Sequence, residues 1–334
     1  MRRAMLALAA VLGAAGTANA AAAGCGRACL TGFTDRYLKA LVAHRPSDLP
    51  AAPGLRFTED GAPMQLGDGL WRTIEGLESY RLDFADPAQG EAGALVLVRE
   101  NGNPALMALR LKVSGGAIAE VETVLARKGE LQALHTDLLD QPLPILLQDV
   151  PAAERSSRAE LVKIVDSYFT AIEKADGSLV PFADDGFLIE NGVRTCNDQN
   201  PPQADAPAAF ARLRTMKCAE QLSTRIFTYI QSIRPRRYMV VDEDRGLVLA
   251  LVRFQHPGDV KSVQTRDFGT ISMASNPWAV RPTSALIAEL FKVQDHRIQR
   301  VMAVITNVPY RMPVGWETTG SPARRSPPDA RKRP

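Results

Sequence analysis

Apolar positions along this chain fall into two rhythms. Leu30, Phe33, Thr34, Tyr37, Leu38 and Leu41 follow i, i+3, i+4, i+7 spacing, which places them on one face of an amphipathic helix. The same stripe returns as Leu161, Ile164, Val165, Tyr168, Phe169 and Ile172, each 131 positions later (161 − 30). After each helix a short link bearing Pro and Asp leads into an extended segment. One segment closes on Glu59-Asp60-Gly61 and the other on Glu190-Asn191-Gly192; Asp-Gly and Asn-Gly are strong turn signals. The repeat reappears farther on at a spacing of 180, where Lys112, Val113, Ile118 and Val121 match Lys292, Val293, Ile298 and Val301. These stretches read strand, tight turn, strand, with Gly115-Gly116 turning the first and Asp295-His296 the second. Leu95 to Glu100 and Leu247 to Phe254 are further aliphatic strands. The spacing grows because the second stretch carries an insertion around Cys196 to Arg236.

A helix followed by hairpin-paired strands, occurring twice, predicts an α+β fold of two tandem domains. Each has an N-terminal helix region packed on a curved, mainly antiparallel sheet. The length of 334 residues fits about two domains. The expected organisation is a signal peptide over 1–20, a first domain over 25–128, a linker over 129–157, a second domain over 158–311 and a basic, disordered tail over 317–334. Pro142, Pro144 and Pro151 interrupt the linker, which predicts a semi-rigid segment with one short helix.

The N-terminus changes the picture. Arg2 and Arg3 precede an apolar run from Met5 to Ala15, and Ala18-Asn19-Ala20 supplies a small-x-small cleavage pattern. This predicts export to the periplasm or the medium. The run is shorter than the roughly 20 residues of a membrane span, so no membrane insertion is expected after cleavage. Export permits disulfides. Cys25, Cys29, Cys196 and Cys218 allow three connectivities, of which Cys25 with Cys29 and Cys196 with Cys218 is the economical one. The chain has no Cys-x-x-Cys and no histidine at ligand spacing beside either pair, so no metal is expected. The net charge of +3 resides largely in Arg324, Arg325, Arg331, Lys332 and Arg333 of the tail. Without a basic stripe interleaved with aromatics, nucleic acid is not an expected partner. A phosphate-cradling loop and a Gly-x-Ser-x-Gly elbow are also missing, and no cofactor is expected.

Tyr37-Leu-Lys-Ala-Leu41 followed by Phe57-Thr-Glu-Asp-Gly61 resembles the opening of NTF2-like domains, as does Ala183-Asp-Asp-Gly-Phe-Leu-Ile-Glu-Asn-Gly192. Leu111 to Val121 is similar to the closing hairpin of that superfamily, which includes SnoaL-like cyclases and ketosteroid isomerase. Cys218-Ala-Glu-Gln-Leu222 and Phe254-Gln-His-Pro-Gly258 resemble motifs of secreted bacterial and fungal proteins with this tandem arrangement. The resemblance implies a cone with an apolar interior, a natural site for a small apolar ligand. In the isomerase branch a helix tyrosine stabilises an oxyanion and a following acid moves the proton. On that pattern the candidates are Tyr37 with Asp60 in the first copy, and Tyr168 with Glu190, beside Asn191, in the second. His256 shares a strand face with Val248, Ala250, Val252 and Phe254, and Trp278 stands where it can close a pocket. The expected catalytic residues are therefore Tyr168, Glu190 and His256, with Asn191, Trp278, Tyr37 and Asp60 as ligand contacts. Two functions follow: a cofactor-free lyase, isomerase or hydrolase, or a non-catalytic binding or scaffold protein with packed cones. Either is compatible with a homo-oligomer. The inserted segment, His256 and Trp278 favour the second copy as the functional one.

Overall fold

The computed structural model describes residues 25–130, 132–199 and 208–316. The expected signal peptide and basic tail lie outside them. Helix α1 (Arg27–Val42) is followed by β1 (Ala51–Glu59), β2 (Ala62–Met64), a single helical turn α2 (Leu70–Thr73), β3 (Ile74–Asp86), β4 (Glu91–Glu100), β5 (Asn103–Ser114) and β6 (Ala117–Arg127). The connecting segment holds α3 (Pro144–Leu147). The second unit runs α4 (Arg158–Lys174), β7 (Phe182–Glu190), β8 (Val193–Arg194), α5 (Ala208–Thr215), α6 (Cys218–Leu222), β9 (Ser232–Asp242), β10 (Leu247–His256), β11 (Ser262–Gln264), β12 (Thr270–Ser272), α7 (Pro277–Val280), β13 (Thr283–Gln294) and β14 (Arg297–Pro309).

The two six-stranded sheets have the same strand order, β2-β1-β6-β5-β4-β3 and β8-β7-β14-β13-β10-β9. Both are mixed, since β1 runs parallel to β6 and β7 parallel to β14, while the remaining pairs are antiparallel. Their registers define equivalent positions. Glu59 pairs with Thr123 and Leu109 with Thr123 in the first sheet; Glu190 pairs with Ala303 and Glu289 with Ala303 in the second. Glu59 therefore corresponds to Glu190, and Leu109 to Glu289. By the same register Val98 corresponds to Phe254, Glu100 to His256, and Arg127 to Asn307.

In each unit the first helix lays its apolar stripe on the inner face of its sheet. Leu30, Phe33, Tyr37 and Leu41 share a buried cluster with Val96, Met107 and Leu125. Leu161, Val165, Tyr168 and Ile172 share another with Val252, Ile287 and Ile305. Ser157 starts α4 as a capping box with Glu160, which satisfies two otherwise orphaned backbone donors.

The outer faces of the two sheets meet each other. Tyr80, Leu82, Phe84, Leu95 and Leu106 form one buried cluster with Val240, Leu249, Leu251, Leu286 and Leu290. Every residue of β10 is accordingly buried, which is why Leu247 to Val252 reads as a continuous apolar run rather than an alternating one. The contact has the reciprocity of an isologous dimer interface. Arg27 at the start of α1 pairs with Asp242 of β9, and Arg158 at the start of α4 pairs at 2.6 Å with the register-equivalent Asp86 of β3. The segment over 129–157 is drawn into this interface through Leu134, Leu139 and Leu146.

Candidate functional site

The inner face of the second sheet, helix α4 and the inserted segment enclose a cavity. The centre of a water molecule can range over about 70 Å³ of it, against about 10–15 Å³ for a single enclosed water. Its apolar walls include Ile172, Leu188, Phe254, Ile287 and Ile305, with Leu222, Phe227 and Ile230 supplied by the insertion. The polar lining is Tyr168, Glu190, Gln221, Tyr229, His256, Trp278 and Glu289. Strand alternation explains the placement: Ala285, Ile287 and Glu289 stand on one face of β13, and Phe254 and His256 on one face of β10.

Burial sets the protonation of these groups. Removal from water pushes the Glu190 carboxyl up to about 7, opposed by the nearby Thr195 hydroxyl. Glu289 is 1% exposed. Burial, and then the charge of Glu190, drives its carboxyl well above the ordinary carboxylate range. Burial also raises the Tyr168 hydroxyl, with Glu289 and Glu190 adding to the shift. His256 moves the other way, down to about 4, because burial disfavours the imidazolium. Its ring lies between Tyr229 and Trp278, with centroids at 5.7 and 5.6 Å. Trp278 is anchored by α7, which Asn276 caps, and its indole N–H donates to Asn307 Oδ1 at 2.7 Å. Two cavity-lining atoms, Glu289 Oε2 and His256 Nδ1, are buried with no hydrogen-bond partner among the described residues.

The structure thus gathers Tyr168, Glu190, His256 and Trp278 around one cavity. Asn191 is corrected. It is fully buried in the turn after β7 and does not line the cavity. Its Oδ1 accepts from Ile305 N at 2.7 Å, and its Nδ2 donates to Ile305 O and Gln132 O. Asp60 does the same backbone work in the first unit, accepting from the register-equivalent Leu125 N at 2.8 Å. Both take positive φ, 51° and 46°, ahead of Gly61 and Gly192. They are turn residues that tie down a neighbouring strand.

In the first unit a tryptophan packs against the equivalent tyrosine. Trp71 is 2% exposed and meets Tyr37 edge to face at 5.4 Å, its indole N–H donating to the Tyr37 hydroxyl at 3.2 Å. Tyr37 is therefore a core residue with a satisfied hydroxyl. Glu59 accepts from Leu70 N at 2.9 Å. Arg127 reaches Glu59 at 3.6 Å, Asp60 at 3.4 Å and Glu100 at 2.6 Å. That internal ion-pair cluster has no counterpart in the second unit, where Asn307 stands at the position of Arg127 and His256 at that of Glu100.

Sequence reasoning missed Glu289, Tyr229 and Gln221. Glu289 carried a signal, a lone carboxylate at inward parity in an otherwise apolar strand. Tyr229 and Gln221 lie in the non-periodic insertion. Cys196 and Cys218 are joined, with Cα atoms 5.1 Å apart, and tie the start of that insertion to α6. Cys25 and Cys29 are joined likewise at 5.2 Å. No helix among the described residues is long and apolar enough to cross a membrane. No group of three His, Cys, Asp or Glu among them could hold a metal ion.

Residues 154–305 match the family model described as a domain of unknown function, DUF8021; the match covers the second unit. A search of curated proteins finds no match. Among solved structures, the chain is similar to a de novo designed protein with a curved β-sheet, at 16% identity and a TM-score of 0.26 over 30% of this chain and 87% of that one. It is also similar to a protein of Kribbella flavida DSM 17836 provisionally named a ketosteroid isomerase, at 14% identity and a TM-score of 0.24 over 34% of this chain and 90% of that one. At these scores neither likeness bears on function.

Proposed function

We propose that the second unit is an NTF2-like cone that takes a small, mainly apolar molecule into its cavity and carries out cofactor-free acid–base chemistry on it. The first unit is then a packed structural partner. The observation that carries this reading is the pair of buried carboxyls, Glu190 and Glu289, lining one apolar cavity beside the Tyr168 hydroxyl. Their environments differ. Glu190, raised to about 7, suits a general base, and the Glu289 carboxyl is raised by burial and then by the charge of Glu190. The Tyr168 hydroxyl would hydrogen-bond an oxyanion that develops as Glu190 removes a proton. Neutral His256, fixed in its aromatic stack, would orient the substrate through its free Nδ1. Isomerisation, elimination and hydrolysis all fit such a set. Export to an oxidising compartment belongs to the same proposal, supported by the two disulfides.

The test is a fluorescence screen of the full chain against apolar hydroxy and keto compounds, with Trp278 as the reporter beside the cavity. Binders should quench the parent and leave Trp278→Phe unchanged. For any compound turned over, Glu190→Gln should lower kcat by about two orders of magnitude. Turnover that survives Glu190→Gln, Glu289→Gln and Tyr168→Phe alike would rule out this chemistry.

A further inference from the structure

We infer that the cavity of the second unit takes its ligand as an ammonium cation, a small apolar amine seated where the Arg127 guanidinium sits in the first unit. The inference rests on the proposed cavity function and narrows its ligand class.

Each unit ends its first long strand on a glutamate at the same register, Glu59 or Glu190. In the first unit the acid has a cation: Arg127 on β6 reaches back to Glu59, Asp60 and Glu100. In the second unit the acid remains and the cation is gone. Asn307 occupies the register of Arg127, and its Oδ1 is turned to the Trp278 indole. A second carboxyl has been added, because Glu289 stands where the first unit has Leu109. None of the described residues that line the cavity is Lys or Arg. Glu289 Oε2 is buried without a hydrogen-bond partner.

Two carboxyls in an apolar cavity without a counter-ion leave an acceptor surplus that a cation would complete. The titratable groups that face it are Tyr168 from α4, Glu190 from β7, Tyr229 ahead of β9, His256 from β10 and Glu289 from β13. His256 stays neutral at physiological pH, so none of the groups that line the cavity competes as a cation. A primary ammonium brings three donors on one tetrahedral centre, enough for Glu190, Glu289 and the Tyr168 oxygen. Phe227, Phe254, Tyr229 and Trp278 line the remaining wall and offer ring faces and edges to an apolar body. The cation re-ionises a carboxyl that was protonated in the empty cavity, so binding releases a proton.

Isothermal titration calorimetry on the full chain at pH 7 tests this with 2-phenylethylamine, 2-phenylethanol and phenylacetate, in two buffers of different ionisation enthalpy. The amine is expected to bind about tenfold tighter than the isosteric alcohol, with phenylacetate weakest. The buffer dependence should show proton release for the amine alone. Glu289→Gln should bring amine and alcohol to similar affinity. Asn307→Lys, which restores a cation at the Arg127 position, should abolish amine binding and spare the alcohol. If the alcohol binds as tightly as the amine, the cation inference fails while the cavity reading stands. Amine preference retained in both Glu289→Gln and Glu190→Gln also overturns the inference. If none of the three probes binds or alters Trp278 fluorescence, the cavity reading fails with it.

Discussion

Replacing Glu289 with leucine, the residue that the first sheet carries at the same register, should make the protein more stable while removing its function. Glu289 is 1% exposed, its Oε2 has no partner among the described residues, and burial holds its carboxyl well above the usual range. In the unfolded chain a glutamate ionises near ~4.3. A carboxyl raised in the folded state contributes its full stability below that value and loses it as pH rises toward the folded pKa, at about 1.4 kcal/mol per pH unit. Between pH 5 and pH 7 the parent should therefore lose stability through this residue, at no more than about 1.4 kcal/mol per pH unit. Leucine removes the loss and adds apolar contact with Ile287 and Phe291 of the same strand face. At pH 7 Glu289→Leu should be more stable than the parent, and that margin should shrink as the pH falls to 5. The assay is urea denaturation of both proteins at half-unit steps from pH 5 to 8, followed by far-ultraviolet circular dichroism. A variant less stable than the parent at pH 7, or one with the parent's pH slope, would refute the reasoning that Glu289 is a buried, unpaired acid.

Further outcomes are expected elsewhere. Glu190→Gln should flatten the stability profile between pH 5 and 7 in the same sense, since its carboxyl is raised to about 7; parallel denaturation series measure it. Arg127→Met in the first unit should cost about 3 kcal/mol by stranding the carboxyls of Glu59, Asp60 and Glu100, and the melting temperature should fall without loss of ligand binding. Trp71→Ala should cost about 3–5 kcal/mol by opening a cavity in the packed first unit, read from the same melts. Peptide mapping without reductant should recover Cys196 linked to Cys218, and the double alanine variant should lose about 2–4 kcal/mol; free thiols at both positions would contradict the connectivity.

Much of the architecture was legible in the sequence because it depends on local periodicity. Both helix stripes bury the residues their spacing selects, with Ile164 half-buried. The turns at Gly115-Gly116 and Asp295-His296 adopt the positive φ that their composition allows. What periodicity could not supply was the meeting of the outer sheet faces, which depends on residues far apart in the chain. A trace existed in the unbroken apolar run of β10, since alternation is lost when both faces are covered. The site divides the same way. Tyr168 and His256 were readable as polar groups on apolar faces, and the same parity argument applied to β13 would have found Glu289. Asn191 and Asp60 could not be placed from the sequence, because an Asx-Gly turn puts a polar side chain next to a strand end whether or not a ligand is near. Tyr229 lies in the inserted segment, where no repeat fixes position and only tertiary packing brings the ring against His256.

The central claim is that the second unit holds the working cavity and the first is closed. A crystal structure of the full chain soaked in the three phenyl compounds tests it most directly. The account expects ligand density among Tyr168, Glu190, His256 and Glu289, with Trp71 still packed on Tyr37 and no ligand in the first unit. Density beside Tyr37 and Glu59, with the second cavity empty, would contradict it.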